Sequence, residues 1–236
     1  MKYSIIIPAY NEEKRISKTV ARILEFFEKK KVDFEIIVVN DGSNDKTSEA
    51  VKIFRNKKIR LLEFSPNHGK GFAVKQGMLN AKGDIILFSD ADLSTPIEEF
   101  DKLINYIKDF DVIIGSRSIK GANVVKHQPF YRELMGKIFN KIVRLFTIRG
   151  IIDTQCGFKI FNQKAAKDVF SRTRITGFGF DVEALFLAKI LKYKIKEVPV
   201  TWINDEQTKI SPVKDSLKMF IEVLKVRINY WEGKYK

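Results

Sequence analysis

The sequence has one cysteine, Cys156, so no internal disulfide framework is possible and a reducing compartment suits the chain. It has no run approaching the roughly 18–20 apolar residues of a membrane-spanning helix, so any work at a membrane is expected to be done lying on its surface. Its N-terminal apolar stretch, Ile5–Ile7, is cut off by Pro8, which excludes the h-region of a secretory signal. It has only two histidines, His68 and His127; they are too isolated to make a metal pair and read as surface or hydrogen-bonded side chains. No internal repeat, low-complexity stretch or Pro/Gly/Ser-rich linker breaks it up. Acidic residues are short: 29 against 43 basic ones, a formal net charge of +14. Such a surplus attracts something anionic, whether nucleic acid, an acidic membrane surface or a phosphorylated substrate, and does not choose among them.

What is present is enough for one substantial domain: 236 residues, 44% hydrophobic and 31% charged. Short, nearly continuous apolar runs at Tyr3–Ile7, Phe34–Val39, Ile59–Phe64, Asp84–Phe88 and Asp111–Ile114 read as strands covered on both faces. Helical patterns at Glu12–Lys30, Lys46–Phe54, Gly71–Ala81 and Pro96–Lys108 lie between them. The alternation predicts an α/β fold with a mostly parallel, Rossmann-like sheet flanked by helices. Thr95-Pro96-Ile97-Glu98 has the form of a capping box, and Asn11 and Asp45 are candidate N-caps. In the second half, Gly157–Phe161 and Glu197–Ile203 read as strands, and Phe180–Leu191 and Val213–Tyr230 as helices. Residues 1–212 are thus expected to form the main domain, with 213–236 an amphipathic C-terminal helix that packs on it or meets a membrane. Leu134–Arg149 is a second basic, amphipathic candidate for membrane contact.

Ligands of such sheets sit beyond the carboxyl ends of the strands, and three of those ends are polar. They read Pro8-Ala9-Tyr10-Asn11-Glu12, Asn40-Asp41-Gly42-Ser43 and Ser89-Asp90-Ala91-Asp92. Residues two apart on an extended segment face one way, so Asp90 and Asp92 can share a Mg²⁺ or Mn²⁺ ion. An Asp-x-Asp is also a common turn; here an apolar strand before it and a helix after it favour the site. Asn67-His68-Gly69-Lys70-Gly71 opens a helix whose N-terminus suits phosphate, although its glycines fit neither the P-loop nor the dinucleotide spacing. Three acidic residues at the ligand edge, together with aromatics that lack basic interleaving, argue against a nucleic-acid partner.

Together these four motifs resemble the inverting family 2 glycosyltransferases of the GT-A fold. Gly115-Ser116-Arg117 and Asp153-Thr154-Gln155-Cys156-Gly157-Phe158-Lys159 resemble the polyprenyl-phosphate branch of that family, and the second of these is nearer its glucosyl than its mannosyl members. The resemblance implies an enzyme that moves a hexose from a nucleotide-sugar to a polyprenyl or dolichyl phosphate, peripherally, at the cytoplasmic face of a membrane. UDP-glucose is the expected donor, GDP-mannose the alternative; a sugar-hydroxyl acceptor is the other possibility. By resemblance, Pro8, Ala9, Tyr10, Glu12 and Asp41 hold base and ribose, while Asp90 and Asp92 hold the Mg²⁺ or Mn²⁺ ion beside Ala91. Lys70, Arg117, Arg132 and Lys209 meet phosphates. Asp92, Arg117 and Asp181 are the implied catalytic residues, with Asp153 and Asp181 the candidates should a base be needed. Two departures from the family pattern stand out: Asn40-Asp41 in place of a paired Asp-Asp, and Ser94 where the mannosyl enzymes often carry glutamine.

Overall fold

The computed structural model describes residues 1–126, 147–148, 150–204 and 212–235. Nine strands are described: β1 (Lys2–Ala9), β2 (Asp33–Asp41), β3 (Ile59–Phe64), β4 (Ile85–Ser89), β5 (Val112–Ser116), β6 (Asn123–Lys126), β7 (Phe158–Asn162), β8 (Ile195–Pro199) and β9 (Thr201–Ile203). The helices are α1 (Ile16–Lys29), α2 (Thr47–Lys52), α3 (Lys70–Asn80), α4 (Phe100–Ile104), α5 (Gln163–Arg172), α6 (Phe180–Ile190) and α7 (Pro212–Trp231). Seven strands form one sheet in the order β3-β2-β1-β4-β7-β5-β8, parallel except for β7. β6 and β9 pair separately. The expected α/β class holds.

The pleat divides the core in two. Ile6, Ile37, Val39, Ile86, Phe88, Val112 and Ile114 face α3, α5, α6 and α7, while Ile5, Ile7, Ile36, Val38, Ile85, Leu87 and Ile113 face α1, α2 and α4. Because side chains alternate along a strand, a run with few polar residues fills both layers at once. α1 shows the complementary helical spacing: Ile16, Val20, Ile23 and Phe27 are buried on one side.

At the amino end of the sheet, Glu35 ties three strands together. Its Oε1 accepts from Ser4 Oγ at 2.8 Å and from Lys82 N at 2.7 Å, and its Oε2 accepts from Arg60 Nη1 at 2.7 Å. Burial pushes its pKa up, but these partners outweigh burial and hold it below 4.5. A depressed carboxylate stabilises the fold above its unfolded pKa, and that contribution is lost as pH falls through the lower folded value. Glu35→Gln should therefore cost about 1–2 kcal/mol at pH 7. Urea unfolding should show the gap from wild type shrinking once the pH drops below 4.5.

Several local expectations change. No capping box forms: Thr95 turns inward, its Oγ1 3.7 Å from Cys156 Sγ, and Pro96 takes the cap position. The helix expected over Pro96–Lys108 is a 3-10 turn followed by the short α4. Beyond Ile104 it tightens into i→i+3 bonds, from Tyr106 N to Leu103 O and from Ile107 N to Ile104 O. Asn11 caps no helix; at φ 56° it bridges loops, its side chain accepting from Asn44 N at 2.8 Å. Asp45 does accept from Thr47 N at 3.0 Å in the first turn of α2, although Lys46 occupies the cap position. The single strand expected over Glu197–Ile203 breaks where Val200 N bonds Ser116 O, and its two parts join different sheets. The amphipathic segment 134–149 lies almost wholly outside the described residues.

Candidate active site

Strand order reverses between β1 and β4, and a cavity of about 470 Å³ opens at their carboxyl ends. β1 contributes Pro8 and Ala9 and, just beyond, Tyr10 and Glu12; β2 contributes Asp41; α3 contributes Lys70; the turn after β4 contributes Asp90, Ala91 and Asp92. All nine were singled out from the strand ends and motifs. Arg15, Asn67, Gly69, Ala73, Gly177 and Phe178 also line the cavity. Asn67 and Gly69 belong to the helix-entry motif, whereas Arg15, Ala73, Gly177 and Phe178 had not been singled out. Arg15 carries a signal in hindsight: it sits three residues after Glu12, and its Nη2 donates to Glu12 Oε1 at 2.9 Å.

Asp41 is buried at the end of β2, and its carboxylate is engaged by the next turn. It accepts from Gly69 N at 2.7 Å, from His68 N at 3.0 Å and from Asn67 Nδ2 at 3.0 Å. One carboxylate thereby fixes the entry of α3 and so aims Lys70. His68 stacks on Phe72 with ring centroids 4.3 Å apart, and its Nδ1 lies 3.4 Å from Asp41 Oδ1.

The charged centre is Lys70, Asp90 and Asp92. Lys70 Nζ lies 2.6 Å from Asp90 Oδ1. Burial alone would lower the lysine pKa, but Asp90, Asp181 and Asp92 together raise it, so the ammonium stays charged. The Asp92 pKa is also raised, in its case against the charged form, first by burial and then by Asp90, with the Ser94 amide opposing at 2.9 Å from Oδ1. Ser94 thus contributes its backbone to this turn. Asp90 is packed from behind by Gly157, just before β7: its N donates to Gly157 O at 3.1 Å, and a Cβ on Gly157 would lie 1.8 Å from Asp90 Oδ2. Only glycine fits there.

Two carboxylates crowded together in a partly desolvated pocket carry a negative surplus that a divalent cation relieves, and their hard oxygens suit Mg²⁺ or Mn²⁺. No cluster of three His, Cys, Asp or Glu ligands occurs among the described residues, so further ligands would come from substrate oxygens and water.

Arg117 and Asp181 are not among the residues lining the cavity. Asp153, fully buried, accepts from Arg117 Nε at 2.7 Å, from Nη2 at 2.8 Å and from the Arg117 amide at 2.9 Å. The guanidinium also lies 5.5 Å from the Trp202 ring. Burial raises the Asp153 pKa, but Arg117 outweighs it and holds the carboxyl well below its ordinary value. Asp181 is a buried partner of Lys159, whose Nζ also donates to Cys156 O at 2.6 Å. Burial raises the Asp181 pKa, with Lys159 and Lys70 pulling against it. Cys156 is fully buried, its thiol pushed up to about 11 by burial, so it is a packed residue. Arg132, Lys209 and His127 lie outside the described residues.

A family model described as "Glycosyl transferase family 2" matches residues 4–170. The dolichyl-phosphate beta-glucosyltransferase of Drosophila melanogaster is 36% identical over 252 residues, spanning 100% of this chain and 77% of the fly protein. The enzyme of the same name from Dictyostelium discoideum is 34% identical over 248 residues, spanning 99% and 76%. Among solved structures, the fold matches glucosyl-3-phosphoglycerate synthase from Mycobacterium tuberculosis, crystallised with Mn²⁺, UDP and phosphoglyceric acid. The TM-score is 0.69 at 17% identity, covering 97% of this chain and 78% of that one. At that identity the likeness is one of fold.

Proposed function

The chain belongs to glycosyl transferase family 2, and from that premise we propose that it transfers glucose from UDP-glucose to a polyprenyl phosphate of the dolichyl type. The transfer inverts the sugar carbon and takes place at the cytoplasmic face of a membrane. The observation that carries the reading is the convergence of Lys70, Asp90 and Asp92 at the switch-point cavity. The full-length likeness to the fly and Dictyostelium enzymes supports the choice of sugar and acceptor.

In this reading an oxygen of the lipid phosphate forms a bond to the sugar carbon as the bond to UDP breaks, and the electron pair leaves on UDP. Pro8, Ala9, Tyr10, Glu12 and the wall braced by Asp41 hold the nucleoside. Lys70, kept charged by its acidic neighbours, neutralises the diphosphate. Asp90 and Asp92 would hold Mg²⁺ or Mn²⁺, which supplies Lewis-acid stabilisation of the leaving diphosphate. The nucleophile is already anionic at neutral pH, so positioning matters more than a base. That agrees with Asp153 being committed to Arg117 and Asp181 to the buried Lys159. Arg117, held by Asp153 through Nε and Nη2, presents its remaining edge to a phosphate. Arg132 and Lys209 remain phosphate ligands by resemblance.

Among the described residues no helix is long and apolar enough to cross a membrane. On α7, Leu217, Ile221, Ile228 and Trp231 are exposed at helical spacing, with Lys218, Lys225 and Arg227 nearby. Such a face suits the surface of anionic lipid and supports peripheral contact.

The test incubates the protein with Mg²⁺ or Mn²⁺, a polyprenyl phosphate and, in turn, UDP-glucose, GDP-mannose and UDP-N-acetylglucosamine, with the lipid followed by mass spectrometry. A glucosylated lipid phosphate formed from UDP-glucose is expected. Mannosyl lipid formed in preference would overturn the choice of sugar, and transfer to a simple saccharide alone would overturn the acceptor.

A further inference from the structure

The cavity wall made by Gly177 and Phe178 is held from an unexpected side. α7 is anchored by Val223 and Val226, both fully buried in the core layer that faces α3, α5 and α6. Between these anchors and the wall stands the half-buried Glu222. Its Oε2 accepts from Gly179 N at 2.7 Å. A Cβ on Gly177 would lie 2.0 Å from Glu222 Oε1, so the carboxylate occupies the space that any side chain at 177 would need. The same loop reaches α3: Thr176 O accepts from Gly71 N at 2.7 Å and from Phe72 N at 3.3 Å, directly after Lys70. A single carboxylate on the C-terminal helix therefore backs both the 177–178 wall and the entry turn that carries the cavity lysine. None of residues 176–179 or 222 falls within the stretch matched by the family model.

We propose that Glu222 is a positioning residue for nucleotide-sugar binding, setting the Thr176–Gly179 wall of the cavity from α7. The proposal rests on the reading of the cavity as the nucleotide-sugar site. A charged oxygen that receives a backbone amide and excludes a side chain fixes the wall in one place, and small displacements of a substrate-positioning wall are costly in affinity.

Binding of UDP in Mg²⁺ by calorimetry, steady-state kinetics and thermal unfolding of full-length variants test it. Glu222→Ala should weaken UDP and raise the KM for UDP-glucose by about tenfold while kcat stays within about twofold, because wall placement acts on binding. Glu222→Gln keeps an acceptor for Gly179 N and should recover most of the affinity. Gly177→Ala should weaken UDP in the wild-type background and add no further loss in Glu222→Ala, where the clashing carboxylate is gone. UDP affinity unchanged in Glu222→Ala, or Gly177→Ala equally harmful in both backgrounds, would overturn the proposal. So would a loss of binding no larger than the loss of thermal stability accounts for. If wild type itself binds no UDP, the reading of the cavity falls and the nucleotide role of Glu222 falls with it.

Discussion

Replacing Asp92 with asparagine should reduce glucosyl transfer about a thousandfold, roughly 4 kcal/mol of transition-state stabilisation, while the folded state holds or gains stability. The two halves of this result have one origin. Asp92 is mostly desolvated and sits beside Asp90, so its charge is carried at a cost to the fold, and in the proposed reading that charge holds the metal ion. Asparagine removes the repulsion and the hard anionic oxygen together. Asp90→Asn should lose a similar amount of activity but should also lower the unfolding temperature. Asp90 is the partner of Lys70 at 2.6 Å, and its loss leaves a half-buried ammonium poorly compensated. Product formation by mass spectrometry, UDP affinity with and without Mn²⁺, and thermal unfolding of both variants separate the effects. Asp92→Asn retaining more than about a tenth of wild-type activity would remove Asp92 from the metal-binding role. Both variants should bind UDP with little dependence on Mn²⁺.

The parts of this site that were legible in the sequence are those with a local signature. Pro8 to Glu12, Asn40-Asp41 and Asp90-Ala91-Asp92 each follow a run of apolar residues, and a parallel sheet gathers its carboxyl ends at one edge whatever the details. What escaped notice depends on contacts between distant residues. Glu222 and Gly177 are 45 positions apart, and neither residue type at its own place announces the other. The direction of β7 is equally invisible, since an apolar run reads the same in a parallel or an antiparallel strand; only the descending register, Ile86↔Phe161 and then Phe88↔Lys159, reveals it. β6 is four residues long and owes its pairing to β9. α5 could have been found, because Asn162 accepts from Ala165 N at 2.8 Å, an ordinary N-cap ahead of the buried Ala165, Ala166, Val169 and Phe170. Thr95-Pro96-Ile97-Glu98 shows the opposite failure. Its pattern is right, but the threonine is claimed by the buried surroundings of Cys156.

Lys159→Met should destabilise the fold by about 3–5 kcal/mol, and the double variant Lys159→Met with Asp181→Leu should recover most of that loss. Lys159 lies in the middle of an otherwise apolar segment of β7 and is 1% exposed, which is where a lysine is tolerated only with a partner. Its ammonium meets Asp181, donates to Cys156 O, and lies 5.7 Å from the Phe88 ring. Methionine fills the volume but strands the Asp181 carboxylate in a site that already disfavours its charge. Removing both charges exchanges a buried pair for apolar packing and avoids the unpaired ion. Urea unfolding of the two single variants and the double gives the coupling energy directly. The same double variant decides what Asp181 does in the reaction. If the acceptor is a phosphate, no base is needed, and the double variant should retain transfer within about tenfold of wild type. A folded double variant with transfer down by a thousandfold would make Asp181 a participant and would bring back an acceptor whose proton must be removed.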